Sequence, residues 1–240
     1  MSTSDISGDG AQRFPGLGER LARVRGGIAD ACGAAGRDPE DVTLIVVTKF
    51  HPASLVAALA ELGVRDVGEN RHQEAQAKAE ELAALDLNWH FIGQLQTKKA
   101  RQAARYASAI HSIDRERLVD ALATAEVERP IDAFVQLNLT DDPGRGGAPP
   151  EEVERIAERV LETPTLRLRG VMAVAPLPEE ESADSAFARL RGYADRLQRL
   201  DPGATAISAG MTHDYAEAIA HGATHLRIGS AITGKRPEPR

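Results

Sequence analysis

The stretch VTLIVVTK (42–49) decides how this sequence is to be read. From Val42 to Thr48 it is a nearly continuous β-branched and apolar run, the pattern of a parallel strand covered on both faces. Such a strand needs helices beside it, and the flanking sequence supplies them. Residues 16–35 set Leu17, Leu21, Val24, Ile28 and Cys32 at helical spacing. Residues 53–62 do the same with Leu55, Val56, Leu59 and Leu62. The alternation then continues. RDVGEN (65–70), NWHFIG (88–93), SAIHSI (108–113), IDAFVQLNL (131–139), LRLRGVMAV (166–174), TAISAG (205–210) and THLRIG (224–229) predict strands. Residues 71–84, 97–106, 115–127, 151–163, 183–200 and 212–222 predict helices, the last closed by Gly222.

Eight strands alternating with seven helices from residue 42 onward predict right-handed βαβ crossovers and a parallel sheet. A chain of 240 residues fits an α/β fold of the single (β/α)8 barrel type, which takes roughly 250 residues. The extra N-terminal helix would fill the eighth outer position. A doubly wound open sheet is the alternative. It loses its main support because no G-x-G-x-x-G follows the first strand and no G-x-x-x-x-G-K-[ST] occurs anywhere. One domain is expected over residues 14–234. Residues 1–13 read as a small, polar, disordered tail and 235–240 as a frayed C-terminal tail, while TDDPGRGGAPP (140–150) reads as a loop.

Composition narrows the class further. The net charge is −7, with 42% hydrophobic and 27% charged residues, as in an ordinary soluble globular protein. The acidic balance argues against nucleic acid as a partner. The basic run QTKKARQAAR (96–105) has no stacking aromatics beyond Tyr106 and reads as a solvated helix face. With one Trp, three Tyr and five Phe, the core must rest on Val, Ile, Leu and Ala. The single Cys32 excludes a disulfide framework and a cysteine-based zinc site. No H-E-x-x-H occurs, so no metal is expected. No apolar run is long enough to span a membrane, and MSTSDISGDG is not a secretory signal. A cytoplasmic protein with no membrane partner is expected.

In a barrel the chemistry gathers at the C-terminal ends of the strands. The ends here offer Lys49, Asn70, His90, Met172, Ser208, Arg227, Gly229 and Ser230, with Thr212 in the loop after strand seven. Lys49 follows an apolar run. A lysine buried there has a lowered pKa and is a nucleophile for aldehydes; a lysine ending a strand can also simply reach solvent. SAGMTHD and RIGS place small residues and hydroxyls after strands seven and eight, where barrels often bind phosphate, although Thr212 and Asp214 also suit an ordinary helix cap. A lysine beside a phosphate site suits an aldehyde-bearing phosphate ester, of which pyridoxal 5′-phosphate (PLP) is one. Arg227 could then meet a pyridine nitrogen and leave it neutral, or pair with a surface carboxylate. Asn70 could bond a ring hydroxyl or turn the chain. His90, beside Trp89, is either a ligand contact or a core histidine.

Several stretches resemble the pyridoxal phosphate homeostasis protein family, itself similar to the alanine racemase barrel domain. They are VVTKFHP (46–52), VGENRHQEAQAK (67–78), WHFIGQLQTKKA (89–100), GVMAVAP (170–176), ISAGMTHDYAEAIAHG (207–222) and HLRIGSAITG (225–234). The resemblance implies an alanine-racemase-like barrel with PLP in a Schiff base on Lys49. It implies phosphate contacts from Ser208, Thr212, Gly229 and Ser230, Asn70 by the ring and Arg227 by the pyridine nitrogen. His90 and Met172 complete the expected cofactor-binding set. Where the family commonly has Ser this chain has Thr212, and Arg145 stands where a Lys is usual.

The expected role is PLP homeostasis, as a monomeric cofactor carrier serving PLP-dependent apo-enzymes. A racemase needs a base on each face of the substrate. The sequence stops soon after strand eight, so a second domain bringing that other base is not expected. Two alternatives stay open: a low-activity PLP-dependent amino-acid racemase, and a Schiff-base aldolase using Lys49 without PLP.

Overall fold

The computed structural model describes residues 13–236. The expected N-terminal tail, Arg13 apart, and the last four residues lie outside them. Eight strands form one closed parallel barrel in chain order: β1 (Thr43–Val47), β2 (Asp66–Glu69), β3 (Asn88–Phe91), β4 (Ala109–Ile113), β5 (Ile131–Gln136), β6 (Leu166–Met172), β7 (Ala206–Ser208) and β8 (His225–Ile228). Closure runs through Thr43 opposite His225 to Val46 opposite Ile228. Around the barrel lie α1 (Leu17–Ala34), α2 (Ala53–Glu61), α3 (His72–Glu81), α4 (Ala100–Ala103), α5 (Glu116–Ala123), α6 (Val153–Leu161), α7 (Ala183–Leu200), α8 (Tyr215–Ala220) and α9 (Ser230–Thr233).

The helices are held by the faces their sequences define. α6 buries Val153, Ile156, Ala157 and Val160, spaced i, i+3, i+4, i+7, and each larger apolar side chain contributes roughly 1.5–3 kcal/mol on burial. α7 starts at Ser182, whose hydroxyl accepts from the Ser185 N–H at 3.2 Å, and Pro202 follows its end. The leading helix α1 buries Leu17, Leu21, Val24, Ile28 and Cys32 and packs beside α8 and α9, in the outer position the sequence left open. Just beyond it, Arg37 donates to the carbonyls of Ile219 and Ala223 at 3.0 and 2.7 Å, tying the loop after α1 to the end of α8 and the turn that follows it.

Three elements differ from the sequence reading. The expected helix 97–106 is a 3-10 turn, Thr97–Lys99, followed by the single turn α4. Its buried face is only alanine, and so short a helix has little else to sustain it. The helix expected from residue 212 starts at Tyr215, because the Asp214 carboxylate accepts from the Met211 N–H at 2.5 Å and closes a turn there. α9 was not expected.

Inside the barrel, β4 meets β7 and β5 meets β8 through side chains that cross the axis. Phe134 stacks on His111 with ring centroids 4.2 Å apart and meets His225 edge-on at 5.1 Å. Ala109, Phe134, Met172 and Ala206 form the apolar part of this interior. The register slips between Ala133 and Phe134 opposite β6. There Gly170, at φ 147°, lets β6 lie against β7: a Cβ would fall 1.9 Å from the Ala206 carbonyl oxygen.

Candidate functional site

Lys49 does not end a buried strand. β1 stops at Val47, and Lys49 sits two residues later in the β1–α2 turn, exposed. Of the two readings of this lysine, the one that reaches solvent is what the structure shows: the apolar run buries Val46 and Thr48, and the chain leaves the sheet before Lys49. Its neighbour Phe50 has φ 70°, a conformation costly for a bulky side chain. A buried charged cluster fixes that turn. Lys78 of α3 donates to the Thr48 carbonyl at 2.9 Å, to Glu69 Oε1 at 2.6 Å and to Glu74 Oε1 at 2.8 Å. Glu74 Oε1 also accepts from the Phe50 N–H at 2.5 Å, and Glu69 Oε1 from the Thr48 hydroxyl at 2.7 Å. Burial pushes the Glu69 carboxyl up, against the opposing pull of Lys78. Lys49 itself has no hydrogen bond or ion pair among the described residues; the ring of Phe50 lies 6.0 Å from its Nζ.

Asn70 follows β2. Its backbone is pressed against β3, where a Cβ on Gly93 would fall 2.1 Å from the Asn70 carbonyl oxygen. Its side-chain Oδ1 is buried and has no hydrogen-bond partner among the described residues, which is unusual for a buried acceptor.

Arg227 of β8 is 4% exposed. Its guanidinium donates through Nη1 to Ser208 Oγ at 2.7 Å and through Nη2 to the Ala173 carbonyl at 2.8 Å. No carboxylate pairs with it among the described residues, so it is not the surface ion pair that its type alone would suggest. Burial brings its pKa down to about 10, which still leaves it charged at neutral pH.

The loops after β7 and β8 are built closely. Gly210 has φ 93°, and a Cβ there would meet Ala218 Cβ at 2.8 Å and Leu226 at 2.9 Å. A Cβ on Gly229 would lie 3.3 Å from the Val47 carbonyl oxygen. Thr212 is partly exposed and Ser230 exposed, while Ser208 is wholly buried below them. Met172 ends β6 within the barrel interior, 1% exposed. His90 is the core histidine of the two sequence readings: Nε2 meets Asp66 Oδ1 at 3.0 Å and Nδ1 meets His111 Nε2 at 2.9 Å. Arg145, in the loop after β5, pairs with Glu180 at 3.2 Å and donates to the Ala175 carbonyl.

Sequence reasoning overlooked Lys78, Glu74 and His111. The signals were present but faint. Lys78 shares the inward stripe of α3 with His72 and Ala75. His111 lies in β4, all five of whose residues are buried.

Residues 34–237 match the family described as the alanine racemase N-terminal domain. The pyridoxal phosphate homeostasis protein of Pseudomonas aeruginosa is 41% identical over 92% of this chain and 96% of its own. The structure of PipY from Synechococcus elongatus with PLP bound is 33% identical, with a TM-score of 0.74, over 91% of this chain and 100% of that one. The alanine racemase of Corynebacterium glutamicum, 13% identical, shares the fold with a TM-score of 0.70 over 90% of this chain and 60% of its own. By this likeness across nearly its whole length, the chain belongs to the pyridoxal phosphate homeostasis proteins of the alanine racemase N-terminal domain family.

Proposed function

We propose that this protein binds pyridoxal 5′-phosphate on Lys49 and serves PLP homeostasis, holding and releasing the cofactor. The observation that carries the reading is the pairing of an unsatisfied acceptor with a buried cation that no carboxylate bonds among the described residues. Asn70 Oδ1 is buried without a hydrogen-bond partner among those residues, and the Arg227 guanidinium donates to a hydroxyl and a carbonyl. PLP offers a ring hydroxyl for the first and a pyridine nitrogen for the second, so the residues present fit the group. The homeostasis names of the relatives and the PLP in the PipY structure point the same way.

The residues divide the work. Lys49 is the attachment point, exposed so that an aldehyde can reach its amine. Thr212, Gly229 and Ser230 take the phosphate at the ends of β7 and β8. Bound PLP supplies an electron-withdrawing ring whose strength as a sink depends on a protonated nitrogen. Arg227 is a donor only, and at neutral pH it leaves that nitrogen unprotonated. This favours holding the cofactor over carbanion chemistry. The reading further takes the protein to be a cytoplasmic monomer with PLP-dependent apo-enzymes as recipients.

Lys49→Ala tests it directly. The wild-type protein titrated with PLP should develop the visible absorbance of lysine-bound pyridoxal, and the variant should not. Borohydride reduction followed by peptide mass analysis should place the label on Lys49. An unchanged spectrum in Lys49→Ala would sink the assignment.

A further inference from the structure

A single file of hydrogen bonds crosses the barrel beneath the proposed cofactor site. Arg227 Nη1 donates to Ser208 Oγ at 2.7 Å, Ser208 Oγ meets His111 Nδ1 at 2.8 Å, His111 Nε2 meets His90 Nδ1 at 2.9 Å, and His90 Nε2 meets Asp66 Oδ1 at 3.0 Å. His111 and Ser208 are fully buried, and His90 is 6% exposed. The file joins β8, β7, β4, β3 and β2, from just under the mouth to the first residue of β2.

A guanidinium can only donate and a carboxylate can only accept. Asp66 therefore accepts a hydrogen bond from the N–H at His90 Nε2. With His90 as the single-proton tautomer this bond selects, its Nδ1 accepts, so His111 carries its proton on Nε2 and accepts at Nδ1. The Ser208 hydroxyl must donate there, and its remaining lone pair faces Arg227. Every donor points the same way, from the cation to the anion. His111 is held in the neutral form this requires: burial keeps it well below the ordinary histidine range. Its plane is fixed by the ring of Phe134 stacked on it at an 8° angle. The Ser208 proton is thus committed inward, away from any phosphate.

We propose that Ser208 and His111 are positioning residues for cofactor recognition: the Ser208 hydroxyl, its proton committed to His111, presents the lone pair that aims the Arg227 guanidinium at the pyridine nitrogen. This rests on the PLP reading above. It replaces the phosphate contact expected of Ser208, and it gives His90 and Asp66 the role of setting the direction of the file from below.

The test is a PLP titration of wild type, His111→Phe, His111→Asn, Ser208→Ala, the His111→Phe/Ser208→Ala double variant and His225→Phe, read by visible absorbance and by dissociation constant, with thermal melts of each apo-protein. His111→Phe and Ser208→Ala should each weaken binding about tenfold, the loss of one buried hydrogen bond, and shift the absorbance maximum. The double variant should be no worse than either single one. His111→Asn should recover most of the affinity, because its amide oxygen can accept the Ser208 hydroxyl near the place of Nδ1. His225→Phe disturbs the same aromatic group, 6.2 Å from His111, but lies outside the file and should bind as wild type. Should His111→Phe fail to fold, Ser208→Ala removes a single oxygen and asks the same question. Wild-type affinity and absorbance in Ser208→Ala would overturn the proposal, as would equal weakening in His225→Phe. A wild-type protein that takes up no PLP would instead remove the functional reading, and this inference with it.

Discussion

Two buried polar systems lie under one barrel mouth, and they are built in opposite ways. Beneath β1 and β2, Lys78, Glu69 and Glu74 carry full charges side by side and hold the turn that presents Lys49. Beneath β4, β7 and β8, His111 and Ser208 carry no charge, and the file they form ends on Arg227 and Asp66. A strained turn needs several acceptors and donors converging on neighbouring backbone atoms, and a lysine between two carboxylates provides them. A guanidinium needs one direction, and a chain of neutral groups gives direction without a counter-ion that would compete with a ligand. Anchoring and aiming thus take different chemistry in the same few strands.

The largest expected effect breaks the first system. Lys78→Met keeps most of the side-chain volume but leaves two carboxylates facing each other, one fully buried. Removing one partner from a buried ion pair costs about 3–5 kcal/mol, which denaturant unfolding of the apo-protein should register. The Thr48 carbonyl also loses one of its two donors, keeping only the His51 N–H, so attachment of PLP at Lys49 should weaken with it. A loss below ~1 kcal/mol would mean that water solvates this cluster and that the turn does not depend on it.

The second system should fail through acid instead. His111 is held below the ordinary histidine value, and His225 is brought down to about 3, in both cases by burial first. The unfolded chain takes up these protons near pH 6.5 while the folded chain refuses them. Their contribution is therefore present above pH 6.5 and is lost as pH falls from there toward the folded values. With two such groups, stability should drop by up to ~2.7 kcal/mol per pH unit in that window. His225→Phe should remove about half of the slope. A flat profile between pH 6.5 and 4 would show that water reaches the barrel interior.

The sequence carried the barrel well because burial on both faces writes itself as long β-branched runs, as in VTLIVVT, and because the outer helices keep one apolar stripe each. α7 was found with both of its ends, since Ser182 and Pro202 mark them chemically. The strand ends were also legible, and Asn70 and Arg227 stand at or beside them. What the sequence could not carry was contact across the barrel axis. His111 and Ser208 are 97 residues apart, and nothing local in SAIHSI or TAISAG tells one that the other is its partner. The same holds for Lys78, which reads as a solvated helix lysine until α3 is laid against the β1 turn. The two readings of Lys49, buried or reaching solvent, could not be separated from the run alone, because two residues past a strand are enough to leave the sheet.

The smallest effect separates charge from hydrogen bonding within the first system. Glu74→Gln keeps an oxygen that can accept the Phe50 N–H, and so keeps the turn's backbone anchor. It removes one charge from a cluster that carries two carboxylates against one lysine, leaving Lys78 paired with Glu69 alone. Glu74 adds to the upward push on the Glu69 carboxyl, so relief of that repulsion should offset much of the lost ion pair. A change within about 1 kcal/mol is expected, as for partly exposed pairs at i,i+4, with PLP uptake little altered. The carboxyl of Glu69 should titrate lower than in the wild type, which carboxyl-resolved NMR would follow. A loss comparable with that of Lys78→Met would reverse the assignment: the charge of Glu74, and not its hydrogen bond to Phe50, would then be what holds the left-handed turn in place.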